Sequence, residues 1–191
     1  ETAVRAVLGQ QVSVAAARTL VARLARLHGT PLPPGLAGSG LQCLFPEPAQ
    51  IATADLSGLG VPEARARTIH AIARALLDGR VDFSAARTLE DFVERWTSLP
   101  GIGPWTAHYI ALRALGHPDA FPAGDLVLQR QLLADEDCPA SPAARAAALE
   151  GRAEGWRPWR AYAVVHAWRE AALAPAQPPS RRAPPTRRKA A

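Results

Sequence analysis

A chain of 191 residues, 48% hydrophobic and 20% charged, is long enough to bury one full core and lies far from the composition of a disordered chain. The net charge of +5 resides in Arg181, Arg182, Arg187, Arg188 and Lys189, which share the last segment with no acid, so the body is neutral and bulk charge is no argument for nucleic-acid binding. Cys43 and Cys138 form no ligand cluster, which excludes zinc and iron–sulfur sites, and no apolar run reaches the roughly eighteen residues that span a membrane.

The apolar spacing predicts helix after helix. Val4, Val7 and Leu8 lead into Gly9, and Ser13 stands as an N-cap before Val14 to His28, where apolar residues recur at three and four and Gly29 follows. Residues 30 to 48 are dense in Pro and Gly and read as a surface loop. Pro48 to Ala54 is a short helix before the turn Leu56-Ser57-Gly58-Leu59-Gly60, and Pro62, at a first-turn position, opens Glu63 to Leu77. Thr88, with Asp91 three residues on, caps a helix through Trp96. Beyond a glycine turn come Pro104 to Leu115, Leu126 to Leu133, Pro142 to Glu154 and Pro158 to Leu173. No segment alternates as a strand would, so the fold class is all-α. Residues 1–172 are expected to form the domain and residues 173–191 a flexible Pro- and Arg-rich basic tail. The chain opens at Glu1, holds no Met and enters helix at once, which suggests a piece of a longer polypeptide.

The turn "LPGIGPWTA" joins two of these helices. Gly101 and Gly103 also match the opening of the dinucleotide fingerprint, but a helix precedes them and Thr106 holds the third glycine position, so that reading fails. A glycine turn feeding a helix N-terminus suits an anion such as a phosphate; glycines that merely let two helices pack closely are the other reading. Asp125 makes a good N-cap for the Leu126 helix, and Trp105 and Tyr109, four apart, share one helix face, as core residues do. His108 and His166 read as satisfied core or surface histidines, Asp135, Glu136 and Asp137 as a solvated acidic turn, and Trp156 and Trp159 as packing for the last helix.

"LPGIGPWTAHYIALRAL" resembles the helix–hairpin–helix of the DNA glycosylase superfamily, and "FPAGDLVLQR" resembles the segment in which that superfamily keeps its catalytic aspartate. "AVRAVLGQQVSVAAARTL", "GLGVPEARARTIHAIARAL" and "WRPWRAYAVVHAW" resemble its bacterial 3-methyladenine DNA glycosylase II branch, so the resemblance spans about residues 1 to 172. It implies two helical lobes flanking an active-site cleft, and removal of alkylated purines of the 3-methyladenine and 7-methylguanine class from double-stranded DNA in base excision repair. Asp125 matches the catalytic aspartate, and Trp105, Tyr109 and Trp168 match the walls of the base pocket. Gly101, Gly103 and Thr106 would grip a DNA phosphate, and Gln11 matches the wedge that holds the emptied base stack open, with Val12 beside it as the other candidate. No cofactor is implied beyond a monovalent cation that the main-chain carbonyls of Thr97, Leu99 and Ile102 can hold.

The chemistry follows from the same residues. An Asp125 anion, favoured by a helix N-terminus, would stabilise the oxocarbenium-like sugar and orient or deprotonate water, while electron-rich rings attract a cationic purine. Bifunctional members form a Schiff base with a hairpin lysine; Trp105 holds that place here and Lys189 is the sole lysine, so lysine-based lyase chemistry is not expected. The implied partners are DNA containing alkylated bases and a missing N-terminal domain of the same polypeptide, in some fusions an alkyl-transfer repair module. The expected setting is a cytoplasmic, nucleoid-associated bacterial monomer with no membrane contact. The alternatives are the same fold acting on other damaged bases, or a non-catalytic DNA-binding module, against which Asp125 weighs because phosphate binding gains nothing from a nearby carboxylate.

Overall fold

The computed structural model describes residues 1–33, 35, 36, 40–83, 88–133 and 138–174. Among these are nine α-helices: α1 (Thr2–Leu8), α2 (Val14–His28), α3 (Pro48–Thr53), α4 (Glu63–Leu77), α5 (Leu89–Thr97), α6 (Pro104–Ala114), α7 (Leu126–Leu132), α8 (Pro142–Ala153) and α9 (Arg160–Leu173). Short 3-10 turns at Ser57–Leu59 and Glu154–Trp156 complete the list, with no strand among the described residues. The acidic run Asp135 to Asp137 and the basic tail from residue 175 onward lie outside the described residues.

Local chemistry sets where the helices begin. The hydroxyls of Ser13, Thr88 and Ser141 accept from the backbone N–H of Ala16, Asp91 and Ala144 at 3.2, 3.1 and 3.1 Å, each cap contributing about 1 kcal/mol. Pro104 and Pro142 occupy first-turn positions, where a missing N–H costs nothing.

Packing then sorts the helices into two lobes. The short α1 is buried at Ala3, Val4, Ala6, Val7 and Leu8 because α2, α4 and α6 surround it. α5 and α6 pack together, and Phe92 and Trp96 of α5 stack at 5.5 Å deep in this lobe. Full burial of each such side chain is worth about 1.5–3 kcal/mol. α7, packed on α8 and α9, forms the second lobe. α2 is the exception: of its fifteen residues, only Val21 and Leu24 are buried.

Two expectations need correction. Pro158 does not open the last helix; the Trp159 N–H bonds the Trp156 carbonyl at 2.8 Å, closing a turn around a cis Arg157–Pro158 bond, and α9 starts at Arg160. Trp159 does not pack that helix either: it is 57% exposed and meets the Tyr162 ring edge-on at 5.7 Å, whereas Trp156 is half-buried with its ring edge-on to Phe121 at 6.3 Å. The loop from 30 to 48 is paired at its ends, with the Leu32 N–H donating to the Gln42 carbonyl at 2.9 Å and the Leu44 N–H to the Thr30 carbonyl at 2.8 Å. No helix among the described residues is long and apolar enough to cross a membrane.

The two hairpin glycines differ in what the fold asks of them. Gly101 has φ +81°, and a Cβ there would lie 2.1 Å from Thr68 Oγ1, so both backbone and space demand glycine. At Gly103, the N-cap of α6, φ is −95° and a Cβ would meet nothing within 4 Å. Gly101→Ala should therefore lower the unfolding free energy by about 2–4 kcal/mol, and Gly103→Ala by less than about 1 kcal/mol, measured by urea denaturation. Equal losses would mean that neither the left-handed backbone nor the Thr68 contact sets Gly101 apart.

Candidate active site

Between the lobes lies a cavity of about 950 Å³ lined by α1, α2, α6 and α9 and by Asp125 at the start of α7. Trp105 and Tyr109 project into it from one face of α6, their rings stacked at 5.4 Å with planes 26° apart. Trp168 of α9 tilts against Tyr109 at 5.9 Å and 50°. The structure thus brings together the three rings that the family resemblance nominated, and they form a wall that is only half-buried.

Asp125 is fixed by four N–H donors. Its Oδ1 accepts from the backbone N–H of Val127 at 2.9 Å and of Leu128 at 3.0 Å, which is the N-cap of α7, and from Trp168 Nε1 at 3.2 Å. Its Oδ2 accepts from Trp105 Nε1 at 3.1 Å. Three of the donors crowd Oδ1 and one meets Oδ2, which keeps an open lone pair on the carboxylate, so capping and site-building are one arrangement. The indoles orient the carboxylate, and the carboxylate orients the indoles.

The loop that delivers Asp125 is braced from behind. Asp119 accepts from Arg160 Nε and Nη2, both at 2.7 Å, and from Arg157, while its own carbonyl accepts from Arg160 Nη2 at 3.0 Å. Asp119 and Arg160 are 7% and 5% exposed. Burial works to raise the Asp119 pKa, but hydrogen bonds from Arg160 and the charges of both guanidinium groups outweigh it and hold the group below its ordinary value. On the same loop the Phe121 N–H donates to His108 Nδ1 at 3.2 Å. Burial, helped by the Arg160 charge, pushes His108 down to about 4, so it is a neutral structural acceptor near pH 7, as its sequence context suggested.

A second network joins the α1–α2 loop to the hairpin. Gln10 Nε2 donates to the Gly101 carbonyl at 3.3 Å and to Thr106 Oγ1 at 3.1 Å, and the Gln10 carbonyl accepts from Arg65 Nη2 at 2.8 Å. Thr106 is 2% exposed, so its hydroxyl serves the interior and its backbone N–H, in the first turn of α6, is the group left to meet an anion. Gln11, next along, is exposed with φ +55°, a left-handed conformation costly for a side chain of this kind, and Val12 beside it is 36% exposed. Thr97 ends α5, Leu99 and Ile102 lie in the turn after it, and the Leu99 carbonyl accepts the Ile102 N–H at 3.2 Å. Gln10, Arg65, Asp119, Arg157 and Arg160 escaped sequence reasoning. The doubled glutamine in "LGQQ" was the one local signal among them.

A sequence profile of the HhH-GPD superfamily base excision DNA repair protein matches residues 4–155. The chain is 44% identical over 168 residues to a Mycobacterium tuberculosis protein named "Probable bifunctional transcriptional activator/DNA repair enzyme AlkA", covering 88% of this chain and 32% of that protein. It is 36% identical over 171 residues to "DNA-3-methyladenine glycosylase 2" of Escherichia coli, covering 88% and 56%. The chain thus spans about a third to just over half the length of these relatives. Among solved structures, a Schizosaccharomyces pombe 3-methyladenine DNA glycosylase in complex with abasic DNA matches with a TM-score of 0.72 at 25% identity, covering 91% of this chain and 80% of that one.

The His108 brace makes stability depend on pH. The folded chain holds His108 neutral down to about pH 4, whereas the unfolded chain protonates it near the ordinary value of 6.5. Its contribution is therefore complete above pH 6.5 and lost as pH falls toward 4. Relative to His108→Gln, the wild type should lose on the order of 2 kcal/mol across that window in urea unfolding at stepped pH. Parallel curves for the two proteins would show that the folded state accepts the proton freely.

Proposed function

The chain belongs to the HhH-GPD superfamily of base excision DNA repair proteins, and we propose that it excises alkylated purines from double-stranded DNA by hydrolysing their N-glycosidic bond. The observation that carries this reading is the Asp125 carboxylate, held by the indoles of two of the three rings that line the cleft. The names of the mycobacterial and E. coli relatives support the same reading.

The residues divide the work by position. The N–H groups at the start of α6, around Gly103 and Thr106, bind a phosphate beside the lesion, and the carbonyls of Thr97, Leu99 and Ile102 would hold a monovalent cation that adds positive charge there. Gln11, presented in its left-handed conformation, enters the stack where the base has left, and its amide can bond the orphaned partner base. The flipped base lies against Trp105, Tyr109 and Trp168, whose faces attract a purine made cationic by alkylation. Such a base departs as a neutral molecule, so the barrier lies in the positive charge that grows on the sugar. Asp125 opposes that charge from a pre-organised position and also orients the attacking water.

Trp105 stands where bifunctional relatives of the resembled superfamily carry a lysine, and the chain's lone lysine is Lys189, so the reaction ends at the abasic site. A further domain of the same polypeptide would complete the cleft, and the protein acts as a monomer within the cell.

Base release from alkylated duplex DNA tests the proposal. The wild type should free 3-methyladenine or 7-methylguanine, with strand breaks appearing after alkali treatment and not before it. Asp125→Asn, which keeps an N-cap oxygen, should fold and bind DNA but release base about 100-fold more slowly or worse. A wild type that binds the duplex and frees no base would reduce the hairpin to a binding module.

A further inference from the structure

Arg113 lines the same cavity as Asp125, yet the chemistry above gives it no task. It follows Trp105 by eight residues and Tyr109 by four, which puts all three along one side of α6. Its guanidinium carbon lies 4.9 Å from the centroid of the Trp168 ring, a cation–π contact that fixes the group against the pocket wall. Arg5, at the other side of the cavity, is paired with Glu1 at 2.6 Å; no carboxylate or carbonyl among the described residues takes the Arg113 donors.

Asp125 and Arg113 stand at opposite ends of the aromatic wall. Asp125 is bonded to Trp105, in the first turn of α6, and Arg113 lies two turns further on, about 12 Å by helical rise. Long helical side chains lean toward the N-terminus, which brings the guanidinium back over the cavity. A purine with its glycosidic nitrogen at Asp125 and its face against the rings therefore turns its far edge, the one bearing position 6, toward Arg113.

We propose that Arg113 reads position 6 of the base and tilts the pocket toward purines carrying a 6-carbonyl, such as hypoxanthine and alkylated guanines, over those carrying a 6-amino group. This rests on the base-excision reading of the cleft. A guanidinium has donors and no acceptor. A 6-carbonyl accepts from it, as guanine O6 does in a major groove, whereas a 6-amino group sets donor against donor and forms no direct bond. A fixed cation at this edge also opposes a positively charged base, an effect that neutral hypoxanthine escapes.

The test uses free hypoxanthine and adenine, a neutral pair that differs at position 6, titrated into the full chain and followed by tryptophan fluorescence. The wild type should bind hypoxanthine at least about tenfold more tightly than adenine. R113M, which keeps the stem over Trp168, should bring the two within about threefold by weakening hypoxanthine, and R113K should retain part of the preference. A wild type without preference, or an R113M that keeps the wild-type ratio or weakens both bases equally, overturns the proposal. The outcome is separable from that of base excision: base release with no hypoxanthine preference sinks the role of Arg113 alone, while preference without base release sinks the excision reading.

Discussion

The cleft is organised around one carboxylate and its four N–H partners. Asp125 ends a loop, caps α7, and receives indole N–H groups from α6 and α9, so three helices from two lobes converge on two oxygen atoms. Every other feature takes its position from this convergence. The Trp105 ring is set by its bond to Oδ2, Tyr109 stacks on Trp105, and Trp168 tilts onto Tyr109 from the far side. Donors already in place mean that the negative charge needs no rearrangement when a positive one develops beside it, and pre-organisation of this kind is where most electrostatic catalysis originates.

Such a convergence requires that the loop arrive at one place. The Asp119–Arg160 pair meets that need, joining α9 to the segment that ends in Asp125 through two bonds to the carboxylate and one to the backbone. Buried ion pairs are seldom a net source of stability, because desolvation cancels most of the attraction. Their geometry is what matters here: a planar fork clamped on a carboxylate and on that residue's own carbonyl fixes direction as well as distance. Gln10 does the same at the other end of the molecule, where one side-chain amide ties the turn carrying Gln11 to the hairpin. The α1–α2 turn and the hairpin are thereby mechanically linked.

Local signals were the legible ones. Serine, threonine and aspartate before apolar runs marked the helix starts at Val14, Leu89 and Leu126, because a cap is a contact between residues two or three apart. The spacing of Trp105 and Tyr109 on α6 and the cap at Asp125 were legible for the same reason, but they read as core and as cap, and only the family motifs made them site residues. What the sequence could not display were pairings across 38 to 96 positions, such as Arg157 with Asp119 and Gln10 with Thr106, since neither partner has a neighbour that betrays the other. Trp159 failed differently: a large apolar residue was read as core, but the turn around Pro158 leaves it facing solvent. Arg113 carries no local signal at all, and only the fold sets it over an indole.

The sparse burial of α2 gives the cleft two walls of unequal stiffness. α6 and α9 are anchored by Ile110, Ala111, Val164 and Ala167, whereas α2, which contributes Val14, Ala17, Arg18 and Val21 to the opposite side, is held by two buried residues. An element with so little apolar anchorage opens at low free-energy cost, so its amide protons exchange well ahead of those in α6. On the proposed reading, the rigid side would judge a base by its charge and edge chemistry. The compliant side would yield to its bulk, so one set of contacts would serve purines of different size.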